Sequence, residues 1–327
     1  MAKVRFAQQA NNRSPTTEQV VRLVLAQEVA GLVRFGPHAR LGHDPEAVHQ
    51  LRVHSRRLRS ELEIVAPAIK EAPLRRMQKD LRWAGKVLGR ERDLDVLFEL
   101  LSSLSDGTSH ALDSSVLAEI DQRRAKEIKH VRSMIRAKRY REMVRGLSDA
   151  VIEPPLRSAA SEPASVVLHP GLDRTLSSLF RAVDYYGPSP TTLELHEIRI
   201  LSKRARYCCE VASTYLGEKA TNVATVLASV QGVLGQIHDE VVAIDYLSKQ
   251  RMLLDRDFVF VSSSESPGGA IEWLSDSIEE LKTKWREPMA EARQLSSELK
   301  TRPVKVRSFF ESHQEVMPRG RGPFAAN

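Results

Sequence analysis

The stretch His49-Gln-Leu-Arg52-Val-His-Ser-Arg56-Arg57-Leu-Arg59 returns half a chain later as His196-Glu-Ile-Arg199-Ile-Leu-Ser-Lys203-Arg204-Ala-Arg206. Both copies fit His-x-x-Arg-x-x-x-(Arg/Lys)-Arg-x-Arg at every fixed position. A device built twice in one chain points to a repeated fold, and its spacing points to helices. At about 100° per residue, His49, Arg52, Arg56 and Arg59 share an arc of roughly 80°, as do His196, Arg199, Lys203 and Arg206. Neither arc holds a carboxylate. Like charges at helical neighbour spacing cost a few tenths of a kcal/mol each, so two uncompensated rows imply an anion supplied from outside.

A second pair of segments supports the repeat. Leu88-Gly89-Arg-Glu-Arg92-Asp93 and Leu234-Gly235-Gln-Ile-His238-Asp239 lie at nearly the same offset, with Leu81 and Val87 matched upstream by Leu227 and Val233. The clearest interruption of helical periodicity runs from Glu153-Pro154-Pro155 through Pro163 to His169-Pro170-Gly171. Shorter punctuations fall at 36–45, 102–114, 186–190 and 262–269. The pattern predicts helices over 17–32, 45–67, 73–101, 115–149, 172–186, 191–216, 219–251 and 270–299. The expected architecture is all-α: two pseudo-twofold-related four-helix bundles forming a central basic channel. Residues 1–152 would make the first bundle, 153–171 a linker, 172–300 the second bundle and 301–327 a flexible tail.

Composition agrees. Hydrophobic residues make up 42% and aromatics only 6%, enough apolar content for a core and a bias toward straight-chain helix formers. The net charge of +7 favours polyanionic partners provided the charge is localised. No apolar run approaches the length needed to cross a bilayer, and the N-terminus lacks a continuous apolar signal core. The adjacent Cys208 and Cys209 are too close for an ordinary structural disulfide, so they read as small packing residues in a reducing cytoplasm.

On the first motif helix, Val48, Leu51, Leu58 and Leu62 mark the apolar side, and the His49/Arg52/Arg56/Arg59 row lies beside it. Such a row lines a groove between packed elements, where a partly desolvated guanidinium binds phosphate more strongly than on an open face. Arg57 and Arg204 project elsewhere, and a surface ion pair such as Arg57 with Glu61 is their simplest role. Lys79, Arg82, Lys86 and Arg90 form another one-sided row, which also carries Asp93. A single carboxylate among cations suits a positioner that orients Arg or His by hydrogen bonds, with Asp239 as its counterpart. Lys129, Arg132, Arg136 and Arg139 make a third row. Ala228 and Gly232 stand where the first half has Arg82 and Lys86, and His238 replaces Arg92, so the halves should contribute unequally. Lys282 and Lys284 could compensate. Trp83, Trp273 and Trp285 are expected in packing.

At these residues the chain resembles the CHAD family, the conserved-histidine α-helical domain. The resemblance rests on Asp44-Pro45-Glu46-Ala47-Val48-His49-Gln50-Leu51-Arg52, on Arg56-Arg57-Leu58-Arg59, on Leu88-Gly89-x-x-Arg92-Asp93-Leu94-Asp95-Val96 and on Arg139-Tyr140, over roughly residues 17–300. It implies two four-helix bundles around a basic cavity that binds inorganic polyphosphate. Phosphate contact then falls to His49, Arg52, Arg56, Arg57, Arg59, Arg92, His196, Arg199, Lys203, Arg204 and Arg206. Lys79, Arg82, Lys86, Arg90, Arg136, Arg139, His238 and Lys282 extend that set through the neighbouring rows. Many relatives carry a triphosphate-tunnel domain with an alternating Glu-x-Glu-x-Lys strand, and no such strand occurs in this sequence. Polyphosphate offers no base edges, which fits rows of planar forks and ammonium groups without interleaved aromatics.

The expectation is therefore a non-catalytic binding module with no cofactor and no metal, its partner inorganic polyphosphate, for which sulfate or phosphate could stand in within crystals. A cytoplasmic location, at polyphosphate granules, would follow. A nucleic-acid binder using the same surface is the alternative, although no reading module is present. A phosphate-transforming enzyme would need a nucleophile motif or Gly-rich phosphate loop beside His238-Asp239, and neither is found. His38, His43, His49 and His54 are not spaced by three or four, as metal ligands on one helix face would be.

Overall fold

The computed structural model describes residues 14–41, 45–107, 114–256 and 267–299, and among these there is no strand. The helices are α1 (Thr17–Leu41), α2 (Pro45–Ile64), α3 (Glu71–Gly107), α4 (Ser114–Arg136), α5 (Lys138–Ile152), α6 (Ala164–Val167), α7 (His169–Tyr186), α8 (Thr192–Leu216), α9 (Glu218–Arg256), α10 (Pro267–Lys284) and α11 (Arg286–Ser297). Among the described residues no helix is long and apolar enough to cross a membrane. The C-terminal tail, His43 and much of 262–269 lie outside the described residues.

Several boundaries differ from those expected, each because packing overrides a local signal. α1 continues through Pro37 instead of ending at 32. Buried Gly36, set against the Tyr140 hydroxyl, and buried Ala39 hold the extra turns in the core, which offsets the hydrogen bond lost at proline. The expected helix 115–149 is two helices, broken at Ala137, whose backbone is extended at φ −66° and ψ 147°. The break turns Tyr140, Met143 and Leu147 inward against α1. The expected 270–299 likewise divides at Trp285, which is buried at 1% exposure. Among the described residues each half therefore has five principal helices where four were expected.

The segment 153–171 is folded. Thr17 N–H donates to Glu162 O at 2.9 Å, Ala164 N–H to Pro15 O at 2.9 Å and Arg157 N–H to Ala68 O at 2.8 Å, strapping it across the start of α1 and the turn after α2. Ala160, Ala164 and Leu168 enter the first core, and α7 already begins at His169.

Among the described residues the buried apolar side chains gather in three cores. The first gathers α1, α2, α3 and α5 around Val21, Leu25, Leu51, Leu58 and Leu81. The second gathers α7, α8, α9 and α11 around Leu179, Ile198, Leu227, Leu234 and Trp285. The third is shared: Leu97, Leu101 and Leu104 of α3 and Val116 and Ile120 of α4 pack with Ala243 and Leu247 of α9 and Ala270 and Leu274 of α10. Each such fully buried aliphatic side chain contributes about 1.5–3 kcal/mol. The halves also meet through α2 on α8 and α3 on α9.

Candidate functional site

The two helices that carry the repeated motif, α2 and α8, pack against each other. α8 starts at a capping box in which Thr191 N–H donates to Glu194 Oε2 at 2.7 Å and Glu194 N–H to Thr191 Oγ1 at 3.3 Å. One buried face is Leu195, Ile198, Ser202, Ala205, Cys208, Cys209 and Ala212, mostly small, so α9 can approach closely, and Tyr207 and Val211 are buried on another side. Both cysteines are free and buried. The buried face of α2 is Ala47, Val48, Leu51, Ser55, Leu58 and Leu62. These two stripes enter different cores, Leu51 and Leu58 the first and Ile198 and Cys209 the second, while Tyr207 and Val211 on another side of α8 meet α2, and the basic rows lie along that meeting.

Arg52, Arg56, Arg199 and Lys203 are half-buried and within electrostatic reach of one another. Burial, then Arg56, Arg199, Arg52 and Arg206, pushes the Lys203 ammonium down to about 7. Burial and Arg56 lower Arg52, while Asp93, 3.6 Å away, opposes the shift. Burial lowers Arg199, opposed by Asp239, and the charges of Arg56 and Asp93 also reach it from the other half. Asp239 itself is raised by burial and lowered by Arg199, Arg92 and Arg52. Each aspartate thus sits beside an arginine of its own half and within range of the other half's. Arg56, Arg199 and Lys203 make no ion pair among the described residues, and the buried Nε of Arg56 and Nδ1 of His49 have no hydrogen-bond partner there.

The histidines differ between halves. His49 is lowered by burial and by Arg92. His196 and His238 face each other, Nδ1 to Nδ1 at 3.2 Å with ring centroids 4.7 Å apart. Burial, Arg199 and His196 hold His238 down at about 4. His238 is therefore His196's partner, a relationship their separation in sequence does not reveal.

Arg57 departs most from expectation. Rather than a surface pair with Glu61 alone, it is enclosed by Glu210 at 2.8 Å, Glu28 at 3.4 Å and Glu61 at 3.5 Å, and its guanidinium lies over the Tyr207 ring at 5.7 Å. His54 joins the same cluster through Glu28 at 2.8 Å. Arg206 is partly drawn in as well, 3.3 Å from Glu210 and stacked over Tyr207. Burial and the neighbouring carboxylate of Glu28 push Glu61 up to about 8. Sequence spacing carries the pairs Arg57–Glu61 and Arg206–Glu210 within this cluster; Glu28, Tyr207 and Glu210 reach Arg57 from other helices.

The remaining cations distribute unevenly. Arg59 is half-buried farther along the α2 row, and Arg92 is half-buried, 3.3 Å from Glu99. Lys79, Arg82, Lys86 and Arg90 are all exposed along α3, as is Arg136 at the end of α4. Arg139 lies on α5, beyond the break, and is held by Asp80 at 2.9 Å over the Trp83 ring. Arg204 is exposed on the far side of α8, lining a hollow with Ser60, Glu63 and Arg174. Lys282 pairs with Glu279 and Lys284 with Glu280, each on its own helix, so neither joins the α2–α8 cluster. Trp273 is 40% exposed, unlike the buried Trp285.

A further buried acid site escaped the sequence reading. Glu91 and Asp95 of α3 share a site with Arg124 of α4, whose Nε donates to Asp95 at 2.8 Å, and burial and Asp95 raise Glu91 to about 8.

The sequence and the overall fold resemble known proteins. The CHAD domain profile fits residues 23–248. The chain is similar to an uncharacterised protein, MT2285, of Mycobacterium tuberculosis (strain CDC 1551 / Oshkosh), 29% identical over 213 residues that cover 63% of this chain and 40% of that protein. It thus spans about two fifths of the length of that curated relative. In three dimensions it is similar to the CHAD domain from the plant Ricinus communis, with a TM-score of 0.66 and 22% identity over 88% of this chain and 96% of the other. PptA from Streptomyces chartreusis gives a TM-score of 0.61 at 19% identity, covering 86% of this chain and all of that one. With its doubled His/Arg motif, its all-helical fold and a profile match over most of its length, the chain belongs to the CHAD domain family.

Proposed function

We propose that this chain is a non-catalytic module that binds inorganic polyphosphate in the groove between α2 and α8, with recruitment to polyphosphate-rich granules in the cytoplasm as the outcome. One observation carries this reading: Arg52 and Arg56 converge with Arg199 and Lys203 while Arg56, Arg199 and Lys203 lack carboxylate partners among the described residues. Crowded cations that lower each other's pKa represent unfavourable energy that a bound polyanion removes. Arg52, Arg56, Arg59, Arg199, Lys203 and Arg206 line the groove, with His49, His196, His238 and Arg92 at its margin and Asp93 and Asp239 orienting arginines. The exposed α3 row of Lys79, Arg82, Lys86 and Arg90 takes phosphates of a longer chain that leave the groove. Arg57 and Arg139 serve structure instead. Residues 1–152 and 172–300 act as two repeats of unequal charge, since Ala228 and Gly232 replace Arg82 and Lys86.

Titration with polyphosphates of defined length tests this. Affinity should rise with length until the groove is filled and fall steeply with salt, because neutralising several phosphates releases counterions. The double variant Arg52→Glu/Arg199→Glu should lose binding with its helicity intact; unchanged affinity sinks the reading. RNA of equal charge that outcompetes polyphosphate would instead favour a nucleic-acid partner, and phosphate release from polyphosphate or ATP with a divalent metal would favour an enzyme.

A further inference from the structure

Within the cationic cluster one member differs chemically from the rest. Where the first half has Arg56, the second has Lys203. A guanidinium keeps its proton in proteins and is no nucleophile, whereas an ammonium can give its proton up and leave a reactive amine. Lys203 sits where that loss is most favoured. Arg199 and Arg206 flank it at i−4 and i+3 on α8, and Arg52 and Arg56 reach it from α2. The acids around this cluster face its arginines, Glu210 of α8 engaging Arg57 and Arg206, Asp93 of α3 engaging Arg52, and Asp239 of α9 acting on Arg199. Lys249 and Lys219, by contrast, have a carboxylate alongside, Asp245 and Glu298. Burial and the four guanidiniums hold the Lys203 ammonium at about 7, so a large share of it is neutral at physiological pH.

We propose that Lys203 is a modification site for acyl phosphates, whose phosphoryl group is held by the surrounding arginines while the ε-amine attacks the carbonyl carbon. A C–N bond forms and the bond from the carbonyl carbon to the phosphate oxygen breaks. Inorganic phosphate leaves with the electron pair, and the proton from nitrogen goes to solvent. The same guanidiniums that draw in the anionic reagent stabilise the departing phosphate. The amide product is uncharged, so acylation removes a cation from the middle of the groove. Its consequence for ligand binding rests on the polyphosphate reading above; the reactivity itself does not.

The full chain is incubated with acetyl phosphate between pH 6 and 9, together with a short unstructured peptide carrying one lysine, and acetylation is read by peptide mass spectrometry. At pH 7 Lys203 should react at least about tenfold faster than the peptide lysine, with a rate that levels off above its midpoint near neutrality while the peptide's keeps climbing. Arg56→Gln should move that midpoint to higher pH, and an uncharged N-hydroxysuccinimide ester should lose most of the preference. A Lys203 rate no faster than the peptide's, or one that climbs in parallel with it to pH 9, overturns the proposal. Rapid, levelling acetylation in a chain that fails to bind polyphosphate would sink the binding reading alone. Tight polyphosphate binding with ordinary Lys203 reactivity would sink this inference alone.

Discussion

Arg57 of α2 and Glu210 of α8 meet at 2.8 Å across the seam between the two halves of the chain. Arg57 belongs to the repeated basic motif, yet its charge is spent on this contact and on Glu28 and Glu61. The neighbouring Arg56, one residue earlier, has no ion pair among the described residues. Adjacent arginines thus divide between a carboxylate cluster that holds the fold and a position without an ion pair among the described residues, because successive residues on a helix point about 100° apart.

Arg57→Met should destabilise the protein by about 3–5 kcal/mol, since removing one partner leaves buried carboxylates uncompensated. Urea denaturation followed by circular dichroism measures this. Arg56→Met should leave stability within about 0.5 kcal/mol while weakening polyphosphate binding, and equal destabilisation by both changes would contradict the division.

Glu61 makes stability depend on pH. Its pKa is raised from 4.5 to about 8 in the fold. Below pH ~4.5 the carboxyl is protonated in both folded and unfolded chains and carries no penalty. As pH climbs toward 8 the unfolded chain ionises it while the fold retains the proton, so stability drops across that window. Glu61→Gln should remove this drop and gain about 1–3 kcal/mol at pH 8 relative to pH 4.5. Urea midpoints at the two pH values provide the comparison; a gain of the same size at both would show that ionisation is not its source.

Polyphosphate affinity should weaken as pH rises above 7. The free Lys203 titrates at about 7, with Arg52, Arg56, Arg199 and Arg206 facing it. A bound polyanion raises that value, so binding takes up a proton between the free and bound pKa. The dissociation constant should then rise by up to about tenfold per pH unit in that interval. Calorimetry in buffers of different ionisation enthalpy detects the proton directly, and Lys203→Arg should abolish the uptake while preserving the affinity seen near pH 6.

Gly31→Ala should cost roughly 1–3 kcal/mol. A Cβ at this position would overlap the His54 ring, which cannot retreat because it bonds Glu28 at 2.8 Å and stacks on Phe35 at 5.8 Å. A thermal melt of the single variant decides this, and pairing it with His54→Ala should recover much of the loss.

The helical class, the basic rows and the family were legible because they rest on periodicity and on motif spacing, which a linear chain displays openly. Helix ends were less so. Pro37 and Gly36 advertise a stop that the buried contacts of Gly36 and Ala39 override, and nothing local announces the breaks at Ala137 and Trp285. The row of Lys79, Arg82, Lys86 and Arg90 obeys the same spacing as the α2 and α8 rows but stays exposed. Spacing places charges on one face of a helix and is silent about what that face meets.

The sequence by itself determined that α2 and α8 each carry a one-sided cationic row beside an apolar stripe, because helical rotation per residue is fixed by the backbone. Tertiary structure alone decided which of those charges remain available. The packing of α1 and α8 on α2 brought Glu28 and Glu210 to Arg57, the packing of α9 on α8 set His238 against His196, and the packing of α2 on α8 added Arg52 and Arg56 to the guanidiniums about Lys203. Electrostatic energy depends on distance through space and on burial, and neither quantity is written in the order of residues.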